Sequence, residues 1–245
     1  MKIALITGAN KGIGLETAKQ LSKKGLFVYL GSRDLQKGNA IVKNLSESGF
    51  QNIRAIEIDV TKPDTILSAK NTIEKEQGRL DVLINNAGIS GKVPQTALES
   101  TIDSFKEVFD VNVYGVIRTT QAFIDLLKKS TEPRIVNVST SVGSLSLQSN
   151  KNWPAYNYAK FAVYGSSKAA MNMYTIHLAY ELKDTAFKIN SVCPGYTKTD
   201  FTFHQGGEVE TAGKRIVKYA LIDKNGPTGK FFSEESNPET GEIGW

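Results

Sequence analysis

Short apolar runs rich in β-branched residues alternate along this chain with longer amphipathic stretches. The runs are Ile3–Thr7, Leu26–Leu30, Ile53–Asp59, Leu80–Asn85, Arg134–Ser139 and Lys188–Cys193. Several are nearly continuous in Ile, Leu and Val, the pattern of strands covered on both faces of a parallel sheet. The stretches Ile13–Lys24, Leu35–Ser48, Pro63–Gln77, Ser104–Lys129, Tyr164–Leu182 and Glu208–Leu221 fill the gaps and carry apolar positions at helical spacing. In the first, Ile13, Ala18 and Leu21 fall on one side and Lys19 and Lys23 on the other, and Gly25 marks the stop. Strands alternating with helices predict right-handed crossovers and an α/β fold, a doubly wound parallel sheet with helices on both faces.

No internal repeat or linker interrupts the pattern, and 245 residues suit a single domain over Met1–Trp245. Two segments break the rhythm. Ser141–Phe161 is rich in Ser, Asn and Tyr, and the tail from Asn225 to Trp245 is rich in Gly, Pro and Glu. Both are expected to be loops, and 141–161 together with 199–210 would lie on the substrate side, since binding residues tend to sit on loops carried by a rigid scaffold.

Composition removes several function classes. The net charge of +5 is spread along the chain, and no basic face or zinc-finger pattern emerges, so no nucleic-acid partner is expected. Cys193 is the only cysteine and the two histidines, His177 and His204, are far apart in sequence, which argues against a disulfide and a metal centre. The apolar opening, Met1–Ile6, is too short for a signal peptide or a membrane span, and the chain reads as cytoplasmic.

The first strand ends in Thr7-Gly8-Ala9-Asn10-Lys11-Gly12-Ile13-Gly14, and a helix starts at once. Glycines let the backbone turn sharply and let a pyrophosphate approach, while the helix N-terminus offers free N–H groups and a partial positive charge. The second strand ends Leu30-Gly31-Ser32-Arg33. An NAD site places a carboxylate there for the ribose 2′-hydroxyl. Ser32 takes that position instead, and Arg33 suits a phosphate monoester in charge and geometry. Lys11 offers a second cation, so NADP(H) is favoured over NAD(H). Asp34 is the competing residue, should the turn swing it towards the ribose.

Taken together these motifs resemble the classical short-chain dehydrogenase/reductase family, and within it the carbonyl-reductase-like members. The resemblance runs over essentially the whole chain. Thr7 to Gly14 matches T-G-x-x-x-G-x-G; Asp59-Val60 matches the acidic residue after the third strand; Leu80 to Gly88 matches L-D-x-L-x-N-N-A-G with Asn86, Ala87 and Gly88 at its end. Val111 to Gly115 matches h-N-h-x-G, Tyr164 to Lys168 matches Y-x-[AS]-[ST]-K, and Pro194-Gly195-Tyr196-Thr197 matches a P-G turn beside the nicotinamide. The resemblance implies a Rossmann-type sheet of about seven strands. It also implies an NADP(H) site built from Gly8, Asn10, Lys11, Gly12, Ile13, Gly14, Arg33, Asp59, Val60, Asn86, Ala87, Gly88, Tyr164, Lys168, Pro194, Gly195 and Thr197.

The same resemblance implies a catalytic set of Asn112, Thr140, Tyr164 and Lys168. Thr140 stands where the family carries serine, in Pro133-Arg134-Ile135-Val136-Asn137-Val138-Ser139-Thr140, and Ser139 and Ser141 flank it. Tyr164 and Lys168, four apart on a helix, share one face, and a nearby ammonium is expected to lower the phenol pKa. Tyr164 would then protonate a developing alkoxide as hydride arrives from the nicotinamide, Thr140 would hold the carbonyl oxygen, and Asn112 would hold a water linking Lys168 to solvent. Tyr156 and Lys160 repeat the four-residue spacing and compete for the role.

The expected activity is NADPH-dependent reduction of an aldehyde or ketone. Oxidation of an alcohol is the near alternative, and a non-catalytic dinucleotide sensor comes from another class. His204 could touch substrate, His177 and Cys193 read as packing residues, and Trp153, Tyr156 and Tyr158 either wall the pocket or pack the loop. Self-association through the tyrosine-bearing helix is compatible with the resemblance.

Overall fold

A computed structural model describes residues 1–245. Seven parallel strands form one sheet: β1 (Ile3–Ile6), β2 (Phe27–Ser32), β3 (Ile53–Glu57), β4 (Val82–Asn85), β5 (Arg134–Val138), β6 (Lys188–Val192) and β7 (Lys230–Phe232), in the order β3-β2-β1-β4-β5-β6-β7. The helices are α1 (Gly12–Lys23), α2 (Leu35–Glu47), α3 (Pro63–Gln77), α4 (Ile102–Phe109), α5 (Gly115–Lys128), α6 (Leu145–Ser149), α7 (Ala162–Glu181) and α8 (Val209–Ala220). This is the doubly wound, Rossmann-type α/β arrangement that the alternation of runs predicts.

The strands read as continuous apolar runs because both faces are covered. One core layer joins Ala4, Ile6, Val28, Leu30 and Ile84 to Ala18 and Leu21 of α1 and Ile216 of α8. The other joins Leu5, Tyr29, Leu83 and Ile135 to Ile66 and Ile73 of α3 and Phe123 and Leu127 of α5. Strand order reverses between β1 and β4, and their carboxyl ends open a crevice where ligands of such sheets bind.

Three expectations change. Ser141–Phe161 is not all loop: it carries a 3₁₀ turn at Ser141–Gly143 and α6, whose N-cap Ser144 accepts from the Leu147 N–H. The expected helix over Ser104–Lys129 is α4, a π-helical turn at Asp110–Tyr114, and α5. The flanking Phe109 and Gly115 keep right-handed helical dihedrals, so the three pieces run on as one helical stretch and the sequence shows no stop between them. The tail is not all loop. Lys230–Phe232 pairs in parallel with Asn190–Val192. Further on, Trp245 stacks on Phe231 with ring centroids 5.6 Å apart, and its carbonyl accepts hydrogen bonds from Ser146 at the start of α6. No helix is long and apolar enough to cross a membrane, and no group of three or more His, Cys, Asp or Glu side chains could hold a metal ion.

Candidate active site

The crevice is lined by the turn after β1 and the Asn86-Ala87-Gly88 segment after β4. Asn86 ties them together: its amide donates to the carbonyls of Thr7 (2.8 Å) and Gly8 (3.0 Å), while the Thr7 hydroxyl accepts from the N–H groups of Asn86 and Ala87. Gly14 is required by this packing. A Cβ there would lie 2.5 Å from the Asn86 amide nitrogen and 2.8 Å from the Gly8 carbonyl oxygen. Helix α1 begins with Lys11 as N-cap and has no side chain capping it. Its first N–H groups therefore remain available for an anion.

The end of β2 separates the two candidate ribose ligands. Asp34 caps α2, accepting from the Lys37 N–H at 3.0 Å, and that hydrogen bond leads the causes holding its carboxyl below the usual range. The buried Ser32 hydroxyl is spent on the Asp34 backbone. Arg33 is exposed and has no carboxylate partner within ion-pair distance. It lies near Asp59: burial would raise that carboxyl, but hydrogen bonds from Thr61 and the charges of Lys62 and Arg33 hold it low. Val60 is buried beside it. Lys11 is occupied. Its ammonium lies 2.7 Å from Asp200, and Thr199 packs on Gly12, so the stretch after the P-G turn crosses the glycine turn.

Tyr164 and Lys168 sit in the first two turns of α7, facing the carboxyl ends of β5 and β6. The Lys168 ammonium is buried, donates to the Val138 carbonyl at 2.7 Å, and lies 5.9 Å from the centroid of the Tyr164 ring. Tyr164 also packs on Phe201, with centroids 5.5 Å apart. The expected lowering of the phenol pKa is not found. Burial pushes the Tyr164 phenol up and brings Lys168 down to about 8, because each charged form loses hydration and the ammonium is turned to a carbonyl.

The three hydroxyls at the end of β5 have different surroundings. Ser139 is buried and donates to the side-chain Oδ1 of Asn172 at 2.8 Å. Thr140 is half-buried; its oxygen accepts from the Val142 N–H and its proton is uncommitted within the protein. The turn Ser141–Gly143 that follows lies directly on α7, where a Cβ on Gly143 would come within 2.7 Å of the Lys168 Cβ. The Asn112 side chain, on the π-helical turn, accepts from the Ile89 N–H and donates to the Ile89 carbonyl and to Ser167; none of these bonds reaches Lys168.

Beyond the P-G turn, Pro194 accepts from Arg215, Gly195 has φ of 91°, and the buried Thr197 donates to the Gly195 carbonyl. The competing pair lies elsewhere: Lys160 sits 3.9 Å over the Tyr156 ring in an exposed turn before α7 and bonds Gln148. His177 is exposed on α7, and His204 pairs with Asp200 at 3.4 Å. Cys193 is buried directly after β6, where a packing thiol is expected. Gln95, Phe201 and the Val138 carbonyl were not legible beforehand, since no local pattern marks them; Ser167 lies inside the Y-x-[AS]-[ST]-K match.

Known proteins show the same organisation. The family model for short chain dehydrogenase matches residues 2–208. A (+)-neomenthol dehydrogenase from Capsicum annuum is 36% identical, with 94% of this chain and 95% of that protein aligned. The structure of salutaridine reductase from Papaver somniferum superposes with a TM-score of 0.84 at 31% identity, covering 95% of this chain and all of that one. ElxO, solved with NADP bound, superposes with a TM-score of 0.81 at 28% identity, covering 94% of this chain and 95% of that one.

Proposed function

The chain belongs to the short-chain dehydrogenase family, and from that premise we propose that it reduces an aldehyde or ketone to an alcohol with NADPH, Tyr164 being the general acid. One observation carries the reading: a phenol and an ammonium share a face of α7 beside the crevice, with Lys168 anchored 2.7 Å from the Val138 carbonyl. A phenol holds its proton at neutral pH, as an acid working in the reductive direction must.

The residues present fit a dinucleotide. The uncapped start of α1 offers N–H donors for the pyrophosphate, the Gly14 packing leaves the turn tight against β4, and Arg33, free of any carboxylate pair, suits a 2′-phosphate better than a 2′-hydroxyl. A bound reduced nicotinamide supplies the hydride. Asp59 and Val60 would border the adenine, while Pro194, Gly195 and Thr197 would border the nicotinamide.

The rest belongs to the chain. The free proton of Thr140 holds the substrate oxygen and stabilises its growing charge. Tyr164 delivers a proton to that oxygen. The Lys168 charge, when present, stabilises the phenolate left behind. The two similar proteins, a (+)-neomenthol dehydrogenase and a salutaridine reductase, support a small carbonyl or alcohol as substrate.

The test is a carbonyl panel followed by NADPH and NADH absorbance, with Tyr164→Phe as control. Loss of the acid lowers kcat about 10²- to 10⁴-fold while NADPH still binds. Equal turnover by both proteins overturns the assignment.

A further inference from the structure

We infer that Gln95 is a positioning residue for Tyr164, holding the backbone of the proposed acid through a closed ring of hydrogen bonds; this rests on the function proposed above. Helix α7 starts at Ala162, and its N-cap, Phe161, has no side-chain oxygen to satisfy the first N–H groups. Gln95, distant in sequence and buried, takes that task. Its Oε1 accepts from the Tyr164 N–H at 2.9 Å and its carbonyl accepts from the Ala162 N–H at 3.3 Å. Its Nε2 donates to the Ser90 carbonyl at 2.6 Å.

The Tyr164 carbonyl is held from the opposite side. It accepts from the Ser167 hydroxyl at 2.7 Å, and that oxygen accepts from the Asn112 amide at 3.0 Å. The Asn112 amide pairs with both backbone groups of Ile89, each at 2.9 Å. Ile89 adjoins Ser90, so the path returns to Gln95. Tyr164 and Ile89 each bring both their N–H and their C=O into this ring, one on α7 and one beside the crevice wall. Ile89 and Ser90 directly follow the Asn86-Ala87-Gly88 wall of the crevice, so the ring sets the height of the phenol against that wall. Both ends of the Gln95 amide are used, one as acceptor and one as donor, and every polar group in the path is partnered. Small misplacement of an acid is costly in rate.

A plain helix cap would give similar contacts, and the experiment separates the two. Gln95→Leu removes both side-chain bonds. Phe161→Asp, added to it, supplies a local N-cap without restoring the link to Ser90. Expected is a kcat about tenfold to a hundredfold lower in Gln95→Leu, with KM for NADPH within about twofold. In the double variant the melting temperature recovers and kcat does not. If kcat is unchanged in the single variant, or recovers with stability in the double one, Gln95 is only a cap. Ser167→Ala opens the ring from the other side and lowers kcat in the same sense should Gln95→Leu fold poorly; an unchanged kcat there also overturns the inference. Should the wild type reduce no carbonyl, the function fails by itself. Amide exchange in the free protein then decides: Gln95→Leu must speed exchange in both 88–91 and 162–164, and faster exchange in 162–164 alone overturns the ring.

Discussion

Lys168 and Val138 are joined by a 2.7 Å hydrogen bond in which the ammonium donates to a strand-end carbonyl and not to the neighbouring phenol. That bond fixes the lysine in a buried place where its charge is poorly hydrated, and its pKa falls from 10.5 to about 8.

Stability should therefore depend on pH through this residue. In the unfolded chain the lysine keeps its proton up to about 10.5; in the folded chain, up to about 8. Between those values the unfolded state binds the extra proton, so raising the pH stabilises the fold. The contribution is complete above about 10.5 and is lost as pH falls through about 8. Urea unfolding of wild type and Lys168→Met from pH 7.5 to 10.5 should show the wild type gaining roughly 3 kcal/mol on the variant. A constant difference across that range contradicts the burial argument.

The hydroxyls at the end of β5 should separate stability from rate. Ser139→Ala leaves the Asn172 side-chain Oδ1 without its donor and should cost about 1 kcal/mol of stability, with kcat nearly unchanged. Thr140→Val keeps the shape but deletes the proposed donor, and kcat should fall about 10²-fold. Chemical denaturation and steady-state kinetics on both variants check the ranking. The opposite ranking moves the substrate contact to Ser139.

Cofactor choice should rest on Arg33, with Asp200 opposing Lys11. Arg33→Leu removes the unpaired cation at the end of β2 and should raise KM for NADPH about tenfold or more, with little change for NADH. Asp200→Asn releases the exposed Lys11 ammonium from its 2.7 Å pair. KM for NADPH should then fall at low salt, and the gain should vanish at high ionic strength. Because that pair is exposed, unfolding free energy should change by less than about 1 kcal/mol. Equal effects of Arg33→Leu on both dinucleotides would remove the phosphate contact.

Most of the architecture is written locally in the chain. The doubly covered strands are legible because burial on both faces demands continuous apolar runs such as Leu80–Asn85. The spacing of Tyr164 and Lys168 on one helix face follows from helical geometry alone. Elsewhere local pattern is silent. The π-helical turn at Asn112 is flanked by residues in right-handed helical conformation and carries no stop residue, and β7 is three residues whose strand character comes from pairing with β6.

Local residue order was enough for the sheet, the glycine turn and the Tyr164–Lys168 pair, because each depends on near neighbours along the chain. The surroundings of those residues come from packing between distant segments. The sign of the phenol shift depends on burial and on which oxygen the ammonium faces, and a carbonyl on β5 claims it. Asp34 was taken by a helix end and Lys11 by Asp200, leaving Arg33 unpaired. Gln95 reaches Tyr164 across 69 positions of chain. Hydrogen bonds of that span depend on how elements pack in three dimensions, and no spacing along the chain encodes them.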